Sequence, residues 1–259
     1  MGSLTRAELM EEGRLLRLSL NAPRGNVLSQ AMMGEISSAL GDHREDPALR
    51  LVLLAAEGNN FSFGASVEEH RREQAPAMLA AFHALIRNVA AYPVPIAAVV
   101  QGQCLGGAFE LVLACHVVFA IANASFACPE VKLGVFPPVL AAIGPLRLGH
   151  AVSERMLLTG ESLDAETARR LGFVARLLTA DSPQSEVVRW FQEVMAPLSA
   201  FAIRQATKVS RRSSGILQAL DASLSQAERQ YLEEVLTSRD GNEGIAAFLE
   251  RRKPLWQDF

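Results

Sequence analysis

The sequence predicts an α/β fold continued by a helical C-terminal region, on three observations. Short apolar or alternating runs with strand character recur between segments of helical periodicity through the first 196 residues. From about Pro197 onward glycine thins out and strand signals stop, leaving two or three amphipathic helices. Hydrophobic residues make up 49% and charged residues 20% of the 259, a balance that supports a substantial core and excludes intrinsic disorder. The expected organisation is a core over 1–196 and a helical region over 197–259.

Leu15 to Leu20 alternates in part between apolar and polar residues and runs into Asn21-Ala22-Pro23-Arg24-Gly25-Asn26, a strand entering a loop. Ser29 is a candidate N-cap for a helix whose apolar positions are Met32, Met33, Ile36 and Leu40. Leu49 to Ala56 is a buried strand by its length and unbroken apolarity, closed by the Glu57-Gly58-Asn59-Asn60 turn. Pro76 to Ala91 is helical, Ile96 to Val100 a strand, Gly102 to Gly107 a glycine-rich turn into an apolar helix, and Val117 to Ile121 another strand. Leu217 to Leu236 and Glu243 to Glu250 are helices of the tail.

Several function classes fall away on composition. The net charge of −3 lacks the basic excess of a nucleic-acid protein. Mean hydropathy is high at +0.15, yet the longest apolar run, Leu105 to Ile121, is interrupted by Glu110 and His116 and is too short to span a bilayer. The surplus apolarity is read as subunit interface. The acidic, polar N-terminus predicts no signal peptide, and Arg6 stands where a myristoylation motif needs Ser or Thr. Cys104, Cys115 and Cys128 form no CxxC and are odd in number, so reduced thiols in a cytoplasmic protein are expected, with neither a zinc site nor a disulfide framework.

The most informative stretch is Gly102 to Cys115. Its glycines bring backbone close to a neighbour just before a helix begins, where free N–H groups favour negative charge. The spacing fits neither GxGxxG nor GxxxxGK[ST], which leaves a phosphate or a thioester oxyanion as the charge to be held. Glu110 stands in the first turn of this helix among apolar neighbours. It is either an acid satisfied by the helix dipole or a carboxyl raised in pKa for chemistry. Glu130 follows Pro129 in a loop; alone it reads as a solvated carboxylate, but facing Glu110 it would complete an acid–base pair acting on one water. In Phe61-Ser62-Phe63-Gly64-Ala65-Ser66 no G-x-S-x-G elbow surrounds either serine, so the functional reading is backbone: Gly64 lets the Ala65 N–H point into a site. His116 is expected to be buried and hydrogen-bonded, and His70 and His83 to be surface or packing residues.

Six segments in order resemble the crotonase (enoyl-CoA hydratase/isomerase) superfamily across nearly the whole chain. Asn21 to Leu28 is similar to the family's N-x-P…NAL entry, Phe61 to Ser66 to FSAGAD, and Gly102 to Cys115 to G-x-x-x-GGG-x-E-L-x-L-A-C. Pro129-Glu130…Leu133-Gly134 is similar to PE…LG, Leu157 to Val174 to LLTG…A…A…GLV, and Phe248…Trp256 to the terminal F…KR.P.F/W. The resemblance implies a crotonase (ClpP/crotonase-like) fold, a β-β-α spiral core whose C-terminal helices build trimers, and commonly dimers of trimers. It implies a hydro-lyase acting on an acyl-CoA thioester, with no metal and no cofactor beyond the coenzyme A of the substrate.

The same resemblance assigns roles. The Ala65 and Gly107 N–H groups would form the oxyanion hole, Glu110 would orient or deprotonate water, and Glu130 would exchange the proton at carbon. Phe63, Gly64, Ser66 and Gly106 would line the substrate, with Arg24 and Lys253 near the phosphates of coenzyme A. Ser66, Ala108 and His116 depart from the usual Asp, Gly and Asp. In combination with PEVKLGVFPP they resemble the dienoyl-CoA hydratase subgroup, which implies 1,4-addition of water to cyclohexa-1,5-diene-1-carbonyl-CoA in anaerobic benzoyl-CoA degradation. A general enoyl-CoA hydratase or an enoyl-CoA isomerase is the alternative.

Overall fold

The computed structural model describes residues 2–179 and 181–259. A six-stranded sheet is built from β1 (Thr5–Met10), β2 (Leu15–Leu20), β3 (Leu51–Ala56), β4 (Ile96–Val100), β6 (Val117–Ile121) and β9 (Arg176–Leu178), in the order β1-β2-β3-β4-β6-β9. Within this sheet, among the described residues, the β1–β2 pair is antiparallel and the other pairs are parallel. A second sheet joins β5 (Gln103–Leu105), β7 (Ser125–Ala127) and β8 (Leu163–Asp164), and an isolated bridge from Ser62 to Cys104 extends it.

The chain climbs as a spiral. Each turn lays one strand in the large sheet, one extended segment in the small sheet, and then a helix. The sequence β3, Ser62 and α2 (Ala75–Ala90) makes one turn; β4, β5 and α3 (Gly107–Ala114) make the next; β6, β7 and α4 (Pro138–Leu148) follow. The predicted β-β-α architecture is the one observed.

Strand alternation explains why the central strands are apolar throughout. In β3, Leu51 and Leu53 enter a core with Val99, Phe119, Val187 and Phe191, while Val52, Leu54 and Ala56 enter the main core on the opposite face. Ser29 caps α1 (Gln30–Asp42) by accepting from the Met32 N–H at 3.3 Å, as its sequence predicts. Between α4 and β9 lie α5 (His150–Thr159) and α6 (Ala165–Arg170); after β9 come α7 (Pro183–Val194), α8 (Ala200–Ser213), α9 (Ile216–Gln230) and α10 (Arg239–Leu249). Ile216, Leu220 and Leu224 of α9, Tyr231 just beyond it, and Ile245 of α10 are buried in the main core. The tail therefore packs directly behind the elements that carry Glu110 and Glu130.

Candidate active site

The backbone of two segments converges at the head of α3. Leu28 and Ala65 form a parallel bridge, with the Leu28 N–H donating to Gly64 O and the Ser66 N–H to Leu28 O. This pairing leaves the Ala65 N–H unengaged, and the Gly107 N–H at the start of α3 is likewise free of any acceptor among the described residues. A Cβ on Gly107 would sit 3.4 Å from Ala65 N, and one on Gly64 would sit 3.4 Å from Gly107 N, so the two donors lie side by side. Gly64 (φ +93°) cannot carry a side chain without meeting Leu105 O at 2.5 Å.

These donors open onto an apolar cavity of about 350 Å³, within the range of small-molecule sites, walled by Phe63, Gly64, Ala65, Gly106, Gly107, Leu133 and Val135. Ile245 and Phe248 of α10 close one side. Behind it is an inner chamber of about 20 Å³ that shares Ala65, His70, Gly107 and Glu130 with the outer cavity and adds Glu110, Phe136, Pro138 and Tyr231. A larger polar depression of about 530 Å³, bordered by Arg17, Glu57, Gln101 and Ser182, shares no residue with either.

Glu110 is held by the neighbouring helix. Its Oε1 accepts from the Val139 N–H at 2.7 Å and the Leu140 N–H at 2.9 Å, in the first turn of α4. Pro137 and Pro138 explain the geometry, since Pro138 opens α4 and leaves the next two N–H groups without helical acceptors. Burial nevertheless dominates and lifts the Glu110 pKa from 4.5 to about 7, against the opposing effect of those two donors.

Glu130 lies in a one-turn 3-10 helix, Pro129–Leu133, where the sequence predicts a loop. Pro129 starts that turn, and Gly134 ends it in the left-handed conformation. A Cβ on Gly106 would stand 2.7 Å from Glu130 Oε1, which fixes the carboxyl directly behind the Gly106 backbone. Its Oε2 is buried without a hydrogen-bond partner among the described residues. Burial, and after it the charge of Glu110, raises the Glu130 pKa well above the usual carboxylate range. Two carboxyls line one chamber, and burial raises both. The Val139 and Leu140 N–H groups oppose that rise at Glu110, whereas Glu130 Oε2 has no partner among the described residues, so the ionised form is more favoured at Glu110 than at Glu130.

Of the predicted site residues, the structure brings together Ala65, Gly107, Glu110, Glu130, Phe63, Gly64 and Gly106. Phe63 is half exposed at the mouth, its N–H donating to Gly25 O at 2.9 Å, so the exposed Arg24 flanks the rim. Ser66, Arg24 and the exposed Lys253 line neither cavity.

The expectation for His70 is corrected: it walls both cavities, its Nδ1 2.7 Å from Ser66 O. Burial lowers its pKa and favours the neutral ring. His83 is a packing residue as expected, buried and 2.6 Å from Glu228 Oε2. His116 Nδ1 accepts from the Ile96 N–H. Tyr231 escapes sequence reasoning altogether, because it sits 101 positions after Glu130 in a helical stretch that no motif marks.

Comparison with known proteins agrees with this geometry. Residues 11–259 match the Enoyl-CoA hydratase/isomerase family. Over 250 residues the chain is 42% identical to the cyclohexa-1,5-dienecarbonyl-CoA hydratase of Thauera aromatica, covering 96% of this chain and 95% of that one. It is 32% identical over 247 residues to the 2,3-dehydroadipyl-CoA hydratase of Escherichia coli, covering 93% and 94%. The structure of an enoyl-CoA hydratase from Mycobacterium avium subsp. paratuberculosis superposes with a TM-score of 0.84 at 28% identity, covering 99% of each chain. Among the described residues, no helix is long and apolar enough to cross a membrane. With its spiral fold, its paired backbone donors and its match over nearly every residue, the chain belongs to the enoyl-CoA hydratase/isomerase family.

Proposed function

We propose that this protein hydrates a cyclic dienoyl-CoA thioester, cyclohexa-1,5-diene-1-carbonyl-CoA, in the anaerobic breakdown of aromatic acids. The observation that carries the reading is the pair of raised carboxyls in one chamber behind two unengaged N–H groups. The thioester oxygen accepts from Ala65 and Gly107, each donor worth about 3 kcal/mol in a transition state of this kind. Ionised Glu110 takes a proton from water as its oxygen bonds to the β carbon, and the electron pair of the α,β double bond moves to the thioester oxygen, leaving a dienolate conjugated with the second double bond. Protonated Glu130 then delivers its proton to the far end of the dienolate, completing 1,4-addition. Acid–base chemistry of this kind uses no cofactor beyond the coenzyme A of the substrate.

The ring-shaped substrate is supported by the likeness to the Thauera aromatica enzyme and by an outer cavity walled mainly with apolar groups. Arg24 at the rim, with Lys253, serves the phosphates of coenzyme A. Exposed Phe201 and Val209 on α8 support assembly of the chain into trimers or dimers of trimers, which sedimentation tests directly.

The test of function is a panel of cyclohexa-1,5-diene-1-carbonyl-CoA, cyclohex-1-ene-1-carbonyl-CoA and crotonyl-CoA, read by mass spectrometry for the gain of water. Hydration of the diene, lost on Glu110→Gln and on Glu130→Gln, is the expected result. Preference for crotonyl-CoA would keep the mechanism and remove the cyclic substrate. A mass-neutral product would point to an isomerase instead.

A further inference from the structure

The inner chamber contains a third polar group. Tyr231 is 1% exposed, and its hydroxyl has no hydrogen-bond partner among the described residues. Its ring is fixed edge-on against Phe136, with centroids 5.6 Å apart and planes at 66°. It lines the same chamber as Glu110 and Glu130. Burial, then the charges of Glu130 and Glu110, push its acidity down, so the phenol remains a donor throughout the neutral range. The helix that carries it widens at this point into a π turn over Tyr231–Val235, a distortion that helices show most often at functional positions. A buried hydroxyl left without a partner is costly unless something polar completes it.

The geometry points to Tyr231 as a positioning residue that, with the two glutamates, orients the attacking water. The inference rests on the hydration reading above and adds to it a group from the C-terminal helical region. A chamber of about 20 Å³ suits one water molecule. Glu110 Oε1 is occupied by the Val139 and Leu140 N–H groups, which leaves its Oε2 to receive one hydrogen of that water. The second hydrogen goes to Glu130 Oε2, the carboxyl oxygen that lacks a partner, and the Tyr231 O–H donates to one lone pair of the water. With both hydrogens and that lone pair held, the remaining lone pair faces the outer cavity and the β carbon. The tail thereby supplies part of the site that the family motifs of the core leave incomplete.

Two measurements test this. Tyr231→Phe removes only the oxygen, and since that oxygen bonds no protein group, thermal stability should hold or rise. The expected result is a kcat lowered by about 10- to 100-fold with KM within about twofold of wild type. The second measurement uses the fact that the chain has two tyrosines. Incorporation of 3-fluorotyrosine gives two 19F resonances, from Tyr92 and Tyr231, assigned by Tyr92→Phe.

The titratable groups lining the chamber of Tyr231 are Glu110, Glu130 and His70. Burial keeps His70 neutral, so its titration falls to the acid side. The Tyr231 resonance should shift with an inflection near pH 7, where Glu110 titrates, and Glu110→Gln should abolish that inflection. A kcat within twofold of wild type in Tyr231→Phe, or a Tyr231 resonance flat through neutral pH, would overturn the assignment. Glu110→Gln assayed beside it separates the two claims: if it too turns over at the wild-type rate, the hydration reading itself fails. If it is dead while Tyr231→Phe is unimpaired, only the role of Tyr231 is lost.

Discussion

Replacing Glu110 with Gln should abolish turnover and stabilise the fold by the same change. The side chain is 3% exposed, and burial lifts its pKa from 4.5 to about 7. In the unfolded chain the same carboxyl releases its proton near 4.5, so between pH 4.5 and 7 the folded state binds more protons. Stability therefore falls as pH rises through that window and levels off above it. The interval from 4.5 to about 7, at about 1.4 kcal/mol per pH unit, comes to about 3 kcal/mol by pH 8. Gln has the same shape and a carbonyl oxygen that can accept from the Val139 and Leu140 N–H groups, but it never has to be buried as an anion.

Urea unfolding at pH 8 should show the variant more stable by up to about 3 kcal/mol, and melting should rise by about 6 to 12 °C. The difference should close as pH falls toward 4.5, where both side chains are neutral. Equal or lower stability of the variant at pH 8 would refute the reasoning. It would mean that the ionised carboxylate is as well solvated in the folded protein as in water, and that the two N–H donors offset its burial completely.

Gly106→Ala should damage chemistry and fold together. Gly106 has φ +52° and ψ −131°, a conformation essentially closed to other residues, and an added Cβ would lie 2.7 Å from Glu130 Oε1. The expected loss is about 1–3 kcal/mol in urea unfolding, with kcat falling on the order of 100-fold as the carboxyl is displaced. Tyr92→Phe should behave in the opposite way to Tyr231→Phe. The Tyr92 hydroxyl donates to Leu40 O at 2.8 Å in the core, so its removal should cost about 1–2 kcal/mol of stability and leave kcat unchanged in the same assays.

What could be read from the sequence follows from where each signal is local. The strands Ile96–Val100 and Val117–Ile121 have the predicted bounds because central parallel strands are apolar on both faces and announce themselves, and Leu15–Leu20 has them because its partial alternation ends at the Asn21 to Asn26 loop. β1 is silent for the opposite reason. It is an edge strand, mostly exposed and bearing Arg6 and Glu8, ordered by its ladder with β2 and by Glu35 Oε2, which accepts from the Leu4 and Thr5 N–H groups.

Glu110 and Glu130 are legible as individual acids, but their juxtaposition depends on α4, whose first-turn N–H groups bind one of them 29 residues away in sequence. His70 and Tyr231 are missed because a residue reaches this chamber by the way helices stack, and nothing in a short window records it.

The buried helix α3 links these pieces. Its first turn carries the Gly107 N–H and Glu110, where the dipole of the helix favours negative charge. At the other end two cations meet its carbonyls: Arg211 donates to Ala114 O at 2.6 Å and Arg147 to Cys115 O at 3.1 Å. Neither guanidinium is paired with a carboxylate among the described residues, and burial pushes the Arg211 pKa down to about 10. Their negative partner is thus the carboxyl end of α3 itself.

In the proposed hydration, the positive end of this helix faces two negative charges in succession. Before attack the charge is on Glu110. As Glu110 takes the proton of water it becomes neutral, and an equal charge develops on the thioester oxygen beside Gly107. The helix field that holds the base in its ionised form is then free to hold the enolate, and no net charge enters or leaves the apolar chamber during the step. That constancy allows an environment too apolar to ionise both carboxyls to favour moving a single charge between two places a few atoms apart.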